Sequence, residues 1–195
     1  MGGRDEQALT LDSALVRNDE RAYLTQRLLT LSAADTSTFI YPRLFAVHTL
    51  AGAVGCEGPH GQVVLPPTLS LTADKLDGSG AFLLDNGETL MLWLGAEVAR
   101  SFLTQVFNVG ALGSREAETV ELVPQDNELS RRLCAIVDSI RARRPSYQVL
   151  QVVVQRDAAA EASLLPLLVE DRHATVVSYI DFLCTIHSQI QQKLA

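Results

Sequence analysis

The sequence predicts an α/β fold of the α+β kind, in which a mixed central sheet is flanked by one long and one shorter helix. Three segments carry this prediction: an apolar hairpin at residues 82–95, a β-branched run at Tyr147–Gln155, and a strongly periodic helix between them. Amphipathic patterns near both ends of the chain predict further helices outside the sheet layer. With 47% hydrophobic and 20% charged residues, the 195-residue chain has the composition of an ordinary globular protein.

The segment from Phe82 to Gly95 (FLLDNGETLMLWLG) predicts two apolar strands joined by a tight turn at Asp85, Asn86 and Gly87. Asn-Gly between two hydrophobic runs is a strong hairpin signal, because both residues tolerate the positive φ that a twisted hairpin requires of its loop. Trp93 lies inside the second apolar run, so we expect it in the core and not on a binding surface.

The elements expected to complete the sheet layer follow the hairpin. A helix is predicted from Ala96 to about Asn108, closed by Val109–Gly113. The longer helix has a single apolar stripe, formed by Leu129, Leu133, Ile136, Val137 and Ile140. Tyr147–Gln155 then has the composition of a central strand that is buried on both faces, at Val152, Val153 and Val154.

The connecting segments predict short elements and loops. Phe39–Pro42 can start a strand, and the glycine-rich residues 51–61 predict a mobile surface loop that tolerates change. Residues 63–71 predict a strand-like run whose proline-containing part lies at an edge or outside the ladder, because Pro66 and Pro67 cannot donate a hydrogen bond. A short helix is expected at Asp157–Leu165 and a last short strand at Leu167–Glu170. Residues 1–17 fit either a frayed end or a short helix.

Two amphipathic helices are expected at the ends of the chain. The first runs from about Asp19 to Leu31, with Tyr23, Leu24, Leu28 and Leu31 on one side. The second begins near Thr175, and its apolar residues recur at helical spacing: Tyr179, Phe182, Leu183, Ile186, Ile190 and Leu194. Burying such a side chain contributes roughly 1.5–3 kcal/mol. We therefore expect the last helix to pack on the first and to form a small helical layer.

Charge and hydropathy argue against several classes of protein. The net charge of -7 and the pI near 5.0 disfavour binding to nucleic acid or anionic lipid. The longest apolar runs, Val149–Val154 and Leu164–Val169, are too short to cross a bilayer. Single, scattered cysteines at Cys56, Cys134 and Cys184 indicate neither a disulfide framework nor a CxxC half-site, and they fit a reducing cytosol.

No constellation in the sequence indicates catalysis or a bound cofactor. The four histidines, His48, His60, His173 and His187, have no Cys or carboxylate at metal-ligand spacing. Ser79 lacks the G-x-S-x-G context of a hydrolase nucleophile, and Gly110–Gly113 lacks the Lys-Ser/Thr ending of a phosphate loop. We therefore assign no catalytic, cofactor-binding or metal-binding residue, expect no cofactor and no enzymatic activity, and leave any binding residues open.

Five arginines give the long helix and its end a basic side: Arg131, Arg132, Arg141, Arg143 and Arg144. Such a side could meet an acidic partner or cargo tail. A solvated face is the favoured interpretation.

The hairpin also resembles the signature of gelsolin-like domains, which have a strand, an Asp-x-Gly turn, a second strand and Trp-x-Gly before a helix. Calcium-dependent members of that group place an Asp beside a Gly in the first strand and a Glu in the following helix. Glu97 matches the helix position, but Gly80 is followed by Ala81 and one carboxylate is missing. Glu97 is therefore expected to act as a favourable charge near a helix start, and no calcium site is expected.

Five segments over about residues 18–195 carry a second resemblance: Glu20-Arg21-Ala22-Tyr23, Phe39 to Leu44, Leu84 to Gly87, Leu168 to Asp171 and Ser178 to Cys184. In these residues and in their order, the chain resembles the C-terminal part of the Sec24 family, the cargo-selecting subunit of the COPII vesicle coat. The resemblance implies the end of a helical domain at residues 1–45 and a gelsolin-like domain at residues 46–172. A C-terminal helix at residues 173–195 would return to the helical domain.

The resemblance implies a non-catalytic, structural and interaction role in cargo selection and vesicle formation for transport from the endoplasmic reticulum to the Golgi. The partners expected for the full-length protein are other COPII subunits, of the Sec23 family, and cargo tails. The expected location is cytoplasmic, in the coat at the endoplasmic reticulum membrane, with membrane association only through the full coat. An actin-regulating gelsolin-type module is the alternative.

Overall fold

The computed structural model describes residues 17–172 and 177–194. The elements lie in the order α1 (Asn18–Thr30), α2 (Ala33–Ile40), β1 (Arg43–Ala46), β2 (Thr68–Leu69), β3 (Ala81–Asp85), β4 (Thr89–Leu94), α3 (Arg100–Phe107), α4 (Ser114–Ala117), α5 (Glu128–Arg141), β5 (Val149–Val154), α6 (Ala158–Leu164) and α7 (Tyr179–Leu194). Short 3-10 turns occur at Ala73–Lys75 and Leu165–Leu167. Residues 1–16 and Thr175, where the last helix was expected to begin, lie outside the described residues.

The five strands form one mixed sheet in the order β2-β1-β3-β4-β5. All neighbours are antiparallel except β4 and β5, which are parallel. One face of the sheet packs on the apolar sides of α3 and α5, through residues such as Leu92, Val106 and Ile136. The other face packs on α6 and the segment after it, through Trp93 and Leu164 among others. The predicted mixed sheet with a long and a shorter helix is confirmed.

The hairpin of β3 and β4 is the centre of the sheet. Every residue of β3 is buried, and Phe82 pairs with Trp93 across the two strands. Gly87 takes a positive φ of 87°. Asn86 does not: among the described residues, the non-glycine residues with positive φ are Asn108 and Arg156. Asn86 instead closes the turn with its side chain: Oδ1 accepts hydrogen bonds from the N–H groups of Glu88 and Thr89, at 2.9 and 2.8 Å.

The Trp-x-Gly segment at the end of β4 is fixed by two close contacts. Trp93 is 2% exposed, as predicted, and its Nε1 donates to Oε1 of Glu161 on α6 at 3.1 Å. A Cβ atom on Gly95 would lie 2.0 Å from the backbone oxygen of Gly78. Glycine is therefore required at position 95 by the close approach of another backbone segment, whatever its own dihedral angles.

Two predicted strand segments are helical or irregular. Phe39 and Ile40 lie in α2, not in a strand, because Ser32 caps this helix by accepting from the N–H of Asp35. The strand begins only after Pro42, at Arg43.

Leu167–Glu170 was expected as a strand, but Leu167 is the last residue of a 3-10 turn that contains Pro166, and the residues after it form no strand. The prolines before β2 leave only Thr68–Leu69 paired, so the edge position predicted there is confirmed.

Helix α3 begins later than predicted and ends where it was predicted to end. Helix α3 begins at Arg100, because the N–H of Ala96 donates to Gln155 Oε1 and that of Glu97 donates to Gly78 O. Glu97 therefore precedes the helix and does not occupy its first turn. The helix ends at Phe107, and Asn108 closes it in the left-handed conformation with φ 58°, which agrees with the predicted end at about Asn108.

Strand β5 lies at an edge of the sheet and not at its centre. It pairs only with β4, and Val149 at its start is 55% exposed while Val152 and Val153 are buried. The prediction of a central strand was wrong because a β-branched run indicates a strand but not how many neighbours it has.

The two terminal helices do not cover each other, so the predicted packing of α7 on α1 is wrong for this chain. Neither helix contains a buried residue. Helix α1 is held at the hairpin, where Arg27 Nε lies 2.6 Å from Glu88 Oε1. Helix α7 begins elsewhere, where the Tyr179 ring packs on Tyr41 with 5.2 Å between ring centroids. Among the described helices, we find none with the length and apolar content that crossing a membrane requires.

We expect Gly95→Ala to lower the free energy of unfolding by about 3 kcal/mol, since backbone atoms must move to admit the methyl group. Gly110→Ala is the matched control, because a Cβ at Gly110 would have no atom within 4 Å. Urea unfolding followed by circular dichroism measures both variants. Equal stability of the two variants would contradict the close approach of Gly78 and Gly95.

Candidate functional site

A buried carboxylate, Asp85, lies where the hairpin, α2 and the end of α5 meet. Its side chain is 0% exposed. Oδ2 accepts from Arg43 Nη2 and from Arg144 Nη2, each at 2.6 Å, and Oδ1 accepts from Gln148 Nε2 and from the N–H of Gly87, each at 2.9 Å. All of these donors come from different segments of the chain, so one carboxylate joins them. We call this group, together with Asp35, the Asp85 network.

The fold brings the members of the Asp85 network together from positions far apart in sequence. Arg43 lies directly opposite Asp85 in the register of β1 and β3. Arg144 follows the last turn of α5, and its Nη1 donates to Asp35 Oδ1 on α2 at 2.8 Å. Gln148 precedes β5 and is completely buried. The network thus fixes α2 against the sheet at the end where the hairpin turns.

Charge compensation inside the network is strong. Burial by itself would raise the pKa of Asp85, but the hydrogen bonds from Arg43, Gln148, Gly87 and Arg144 outweigh burial and hold that pKa below its usual range. Burial would also lower the pKa of Arg144, yet its bonds to Asp35 and Asp85 raise it. Both groups therefore stay ionised in the folded chain.

A second arginine fixes the glycine-rich loop. Arg132 Nη1 donates to the carbonyl oxygens of Leu50, Gly52 and Val54, at 3.2, 2.8 and 3.4 Å. A Cβ on Gly55 would lie 2.6 Å from Arg132 Cβ. The prediction that this loop tolerates change is therefore wrong at Gly55, since the loop is packed against α5.

The basic side of α5 is accordingly not a uniform solvated face. Arg144 is 5% exposed and Arg132 is mostly buried, whereas Arg131 pairs with Asp126 in solvent. Arg141 lies over the Tyr147 ring, with its guanidinium carbon 4.7 Å from the ring centroid. The predicted solvated face is therefore wrong for Arg144 and Arg132. No local pattern marks the position of Arg144, because Asp85 and Asp35, which bind it, are 59 and 109 residues away.

The candidate chemical residues do not converge. The Ser79 hydroxyl donates to Asp77 Oδ1 within its own turn. His48 Nδ1 lies 3.2 Å from Ala81 O, and the His48 ring packs edge-on against the Phe82 ring. In the part of the chain that the structure describes, no His, Cys, Asp and Glu side chains group as metal ligands, and Cys56, Cys134 and Cys184 are free thiols. His173 lies outside that part. The arrangement of these groups supports no nucleophile with an adjacent base.

Both terminal helices carry exposed apolar side chains. On α7, Leu183, Ile186, Ile190 and Leu194 recur along one side, and all four are exposed. On α1, Tyr23, Leu28 and Leu29 are exposed. A folded chain that leaves so much apolar helix surface in water has the geometry of an interaction module.

We expect Asp85→Asn to destabilise the chain by about 3 kcal/mol, since removing one partner of a buried ion pair leaves Arg43 and Arg144 uncompensated. Asp126→Asn removes a carboxylate from an exposed pair with Arg131 and should cost at most about 0.5 kcal/mol. Thermal and urea unfolding of the two variants provide the comparison. A similar loss in both would remove the energetic argument for the Asp85 network.

The Asp85 network should also contribute to acid sensitivity. Because the folded pKa of Asp85 lies below its unfolded value of about 3.9, its contribution is complete above that pH and is lost as the pH falls through the folded pKa. The stability difference between wild type and Asp85→Asn should therefore be constant from pH 7 to about pH 5 and shrink below about pH 4. A difference that stays constant down to pH 2 would show that folding does not lower the pKa of Asp85.

The family model that matches this chain is the gelsolin repeat, over residues 62–137. This match includes the hairpin and most of α5. It stops before β5, which completes the sheet in the structure.

The chain is similar to protein transport proteins of the Sec24 group. It is 33% identical over 183 residues to human protein transport protein Sec24C, a match that covers 93% of this chain and 16% of the relative. It is 33% identical over 180 residues to human Sec24D, covering 92% of this chain and 17% of that protein. For SEC24 B of Arabidopsis thaliana the identity is 32%, covering 91% of this chain and 16% of the relative.

The structure matches the crystal structure of the human COPII-coat protein Sec24c with a TM-score of 0.74 and 31% identity, covering 92% of this chain and 23% of that chain. The chain therefore spans about one sixth of the length of the curated relatives it matches. These relatives favour a Sec24 gelsolin-like domain over the actin-regulating alternative. Similarity in sequence over nine tenths of the chain, together with a common fold, shows that the chain belongs to the Sec24 family.

Proposed function

We propose that this chain is a structural and interaction module of a COPII coat subunit, acting in cargo selection and vesicle formation for transport from the endoplasmic reticulum to the Golgi. The observation that carries the proposal is the match to human Sec24C at 33% identity over 93% of the chain. The module would act without catalysis, because its buried polar groups hold structural elements together and are closed to a substrate.

The uncovered helices support a division of the chain between two domains. Residues 46–172 would be the gelsolin-like domain. Residues 1–45 and 173–195 would belong to a helical domain, and other residues of the full-length protein would complete that domain. The exposed apolar side of α7 supports this division, since it requires a covering surface that α1 does not supply. Each side chain buried there would contribute roughly 1.5–3 kcal/mol to holding the two domains together.

The partners would be other COPII subunits, of the Sec23 family, and the cytoplasmic tails of cargo. Both would be met by the full-length protein, in the cytoplasm, within the coat at the endoplasmic reticulum membrane. The acidic net charge of -7 supports protein partners over nucleic acid. Membrane association would then come from the assembled coat.

A chimaeric coat subunit tests the role directly. This chain replaces the matching segment of full-length human Sec24C, and the chimaera is assayed for packaging of cargo into vesicles in a reconstituted budding reaction. Packaging near the wild-type level is expected, because the shared fold preserves the contacts of the segment. A chimaera that folds but gives no vesicles would overturn the proposed role.

The same chimaera tests the covering of α7. Ile186→Asp with Ile190→Asp should leave the melting temperature of the isolated chain nearly unchanged, since both residues are exposed there. In the chimaera, the two charges should destabilise the subunit by about 2 kcal/mol or more and reduce vesicle yield. Ser188→Asp with Gln192→Asp is the matched control, because these exposed residues lie on the opposite side of α7. Equal effects of the two pairs would contradict the domain arrangement.

A further inference from the structure

The bend between α5 and β5, residues 142–148, presents a serine hydroxyl between two buried side chains. The bend belongs to no helix or strand. Arg144 and Gln148 are held in the Asp85 network, and their side chains are almost completely buried. The three residues between them, Pro145–Tyr147, are all exposed. Ser146 therefore lies at the surface, in a short segment that is fixed at both ends.

Three arginines precede Ser146 in this part of the chain, and they differ in how far they are engaged. Arg144 is buried in the Asp85 network. Arg141 donates to a backbone oxygen at 3.0 Å and lies over an aromatic ring. Arg143 is exposed and forms no ion pair with any of residues 17–172 and 177–194. The arginine open to a partner is thus the one three residues before Ser146.

An arginine three residues before a hydroxyl is the pattern that basophilic serine kinases recognise, because carboxylates of the kinase bind the guanidinium. Ser146 has Arg143 at that position, and Tyr147, directly after it, is 74% exposed. A kinase also needs a target outside helices and strands, since exposed irregular segments are the ones that enter the active site of another enzyme. The bend after α5 meets both requirements.

The same spacing occurs at two threonines, and the structure distinguishes Ser146 from the first of them. Thr30 is the last residue of α1, and its hydroxyl donates to a backbone oxygen of that helix at 2.9 Å. Arg27, three residues before it, pairs with Glu88 at 2.6 Å. Both parts of the pattern are therefore engaged at Thr30. The second threonine, Thr175, lies outside the described residues.

We propose that Ser146 is a phosphorylation site for a basophilic serine kinase that recognises Arg143 on the folded chain. In the reaction, Ser146 Oγ attacks the γ-phosphorus of ATP, the bond from that phosphorus to the oxygen it shares with the β-phosphate breaks, and ADP leaves. The proton of the hydroxyl passes to the catalytic aspartate of the kinase.

Phosphorylation would change the charge of the bend without a change of fold. A phosphoserine carries about −1.5 to −2 charges at pH 7 and three strong acceptor oxygens. Arg141 and Arg143 each carry a positive charge close by in sequence, so a basic surface would become nearly neutral. Contacts with an acidic partner would weaken there. Ser146 is exposed and is not a member of the Asp85 network, so the elements that the network joins would stay in place.

A kinase assay on the folded chain tests the proposal. The probe is ATP with a purified kinase of the calcium/calmodulin-dependent class, which selects arginine three residues before the hydroxyl, and mass spectrometry locates the phosphate. We expect phosphate at Ser146 and none at Thr30. A peptide of residues 139–151 gives the rate without the fold, and the folded chain should react within about tenfold of it. A site exposed only by global unfolding would react at least about a thousandfold more slowly than the peptide.

Two exposed arginines provide the matched variants. Arg143→Gln should lower kcat/KM for Ser146 by at least about tenfold, because a charge-assisted hydrogen bond to the kinase is lost. Arg131→Gln removes an equal charge from the exposed pair with Asp126 and should leave that value unchanged. Both variants should keep the melting temperature of the wild type, which shows that the rates compare folded chains.

Either of two results would overturn the proposal. Ser146 could stay unmodified in the folded chain, whether or not the peptide is phosphorylated, which would mean that the bend is closed to the kinase. Alternatively, Arg143→Gln could be modified as fast as Arg131→Gln, which would mean that Arg143 is not recognised.

Discussion

The ionised Asp85 is the constraint on which the arrangement of the elements depends. A buried carboxylate is tolerated only when hydrogen bonds and opposite charges compensate for its lost hydration. Arg43, Arg144 and Gln148 supply that compensation from the strand before the hairpin, the end of the long helix and the entry to the last strand. These segments cannot separate without leaving a charge unpaired in the core. The helix α2 joins the same group through Asp35, which connects the sheet to the chain segment leading toward α1.

A domain organised in this way supports scaffolding more readily than chemistry. Its buried carboxylate Asp85 is bound by side chains of the same chain, and its uncovered surfaces include the apolar sides of two terminal helices. The apolar side of a helix is usually covered by another layer of secondary structure. In a chain of the Sec24 family, such surfaces agree with the interaction role proposed above.

The elements predicted with local periodicity were found where the sequence placed them. Helix α5 has its stripe from Leu129 to Ile140 because side chains three and four residues apart share a side of a helix, which is a property of the local chain. The hairpin was predicted for the same reason, although the asparagine in its turn acts through its side chain and not through a positive φ. Phe39 and Ile40 were predicted to start a strand, but they lie in α2, which Ser32 caps and which ends before Pro42.

The sequence by itself determined the fold class, the mixed sheet with its two helices, the burial of Trp93 and the family resemblance, because these rest on composition and on short-range pattern. Only the tertiary structure decided that Arg144 is buried against Asp85, that β5 is an edge and that the terminal helices stay uncovered by each other. Each of these depends on which distant segments meet, and residues 59 apart carry no local sign of their contact. The need for glycine at position 95 is of the same kind, since it arises from the backbone of Gly78 and from nothing in the hairpin itself.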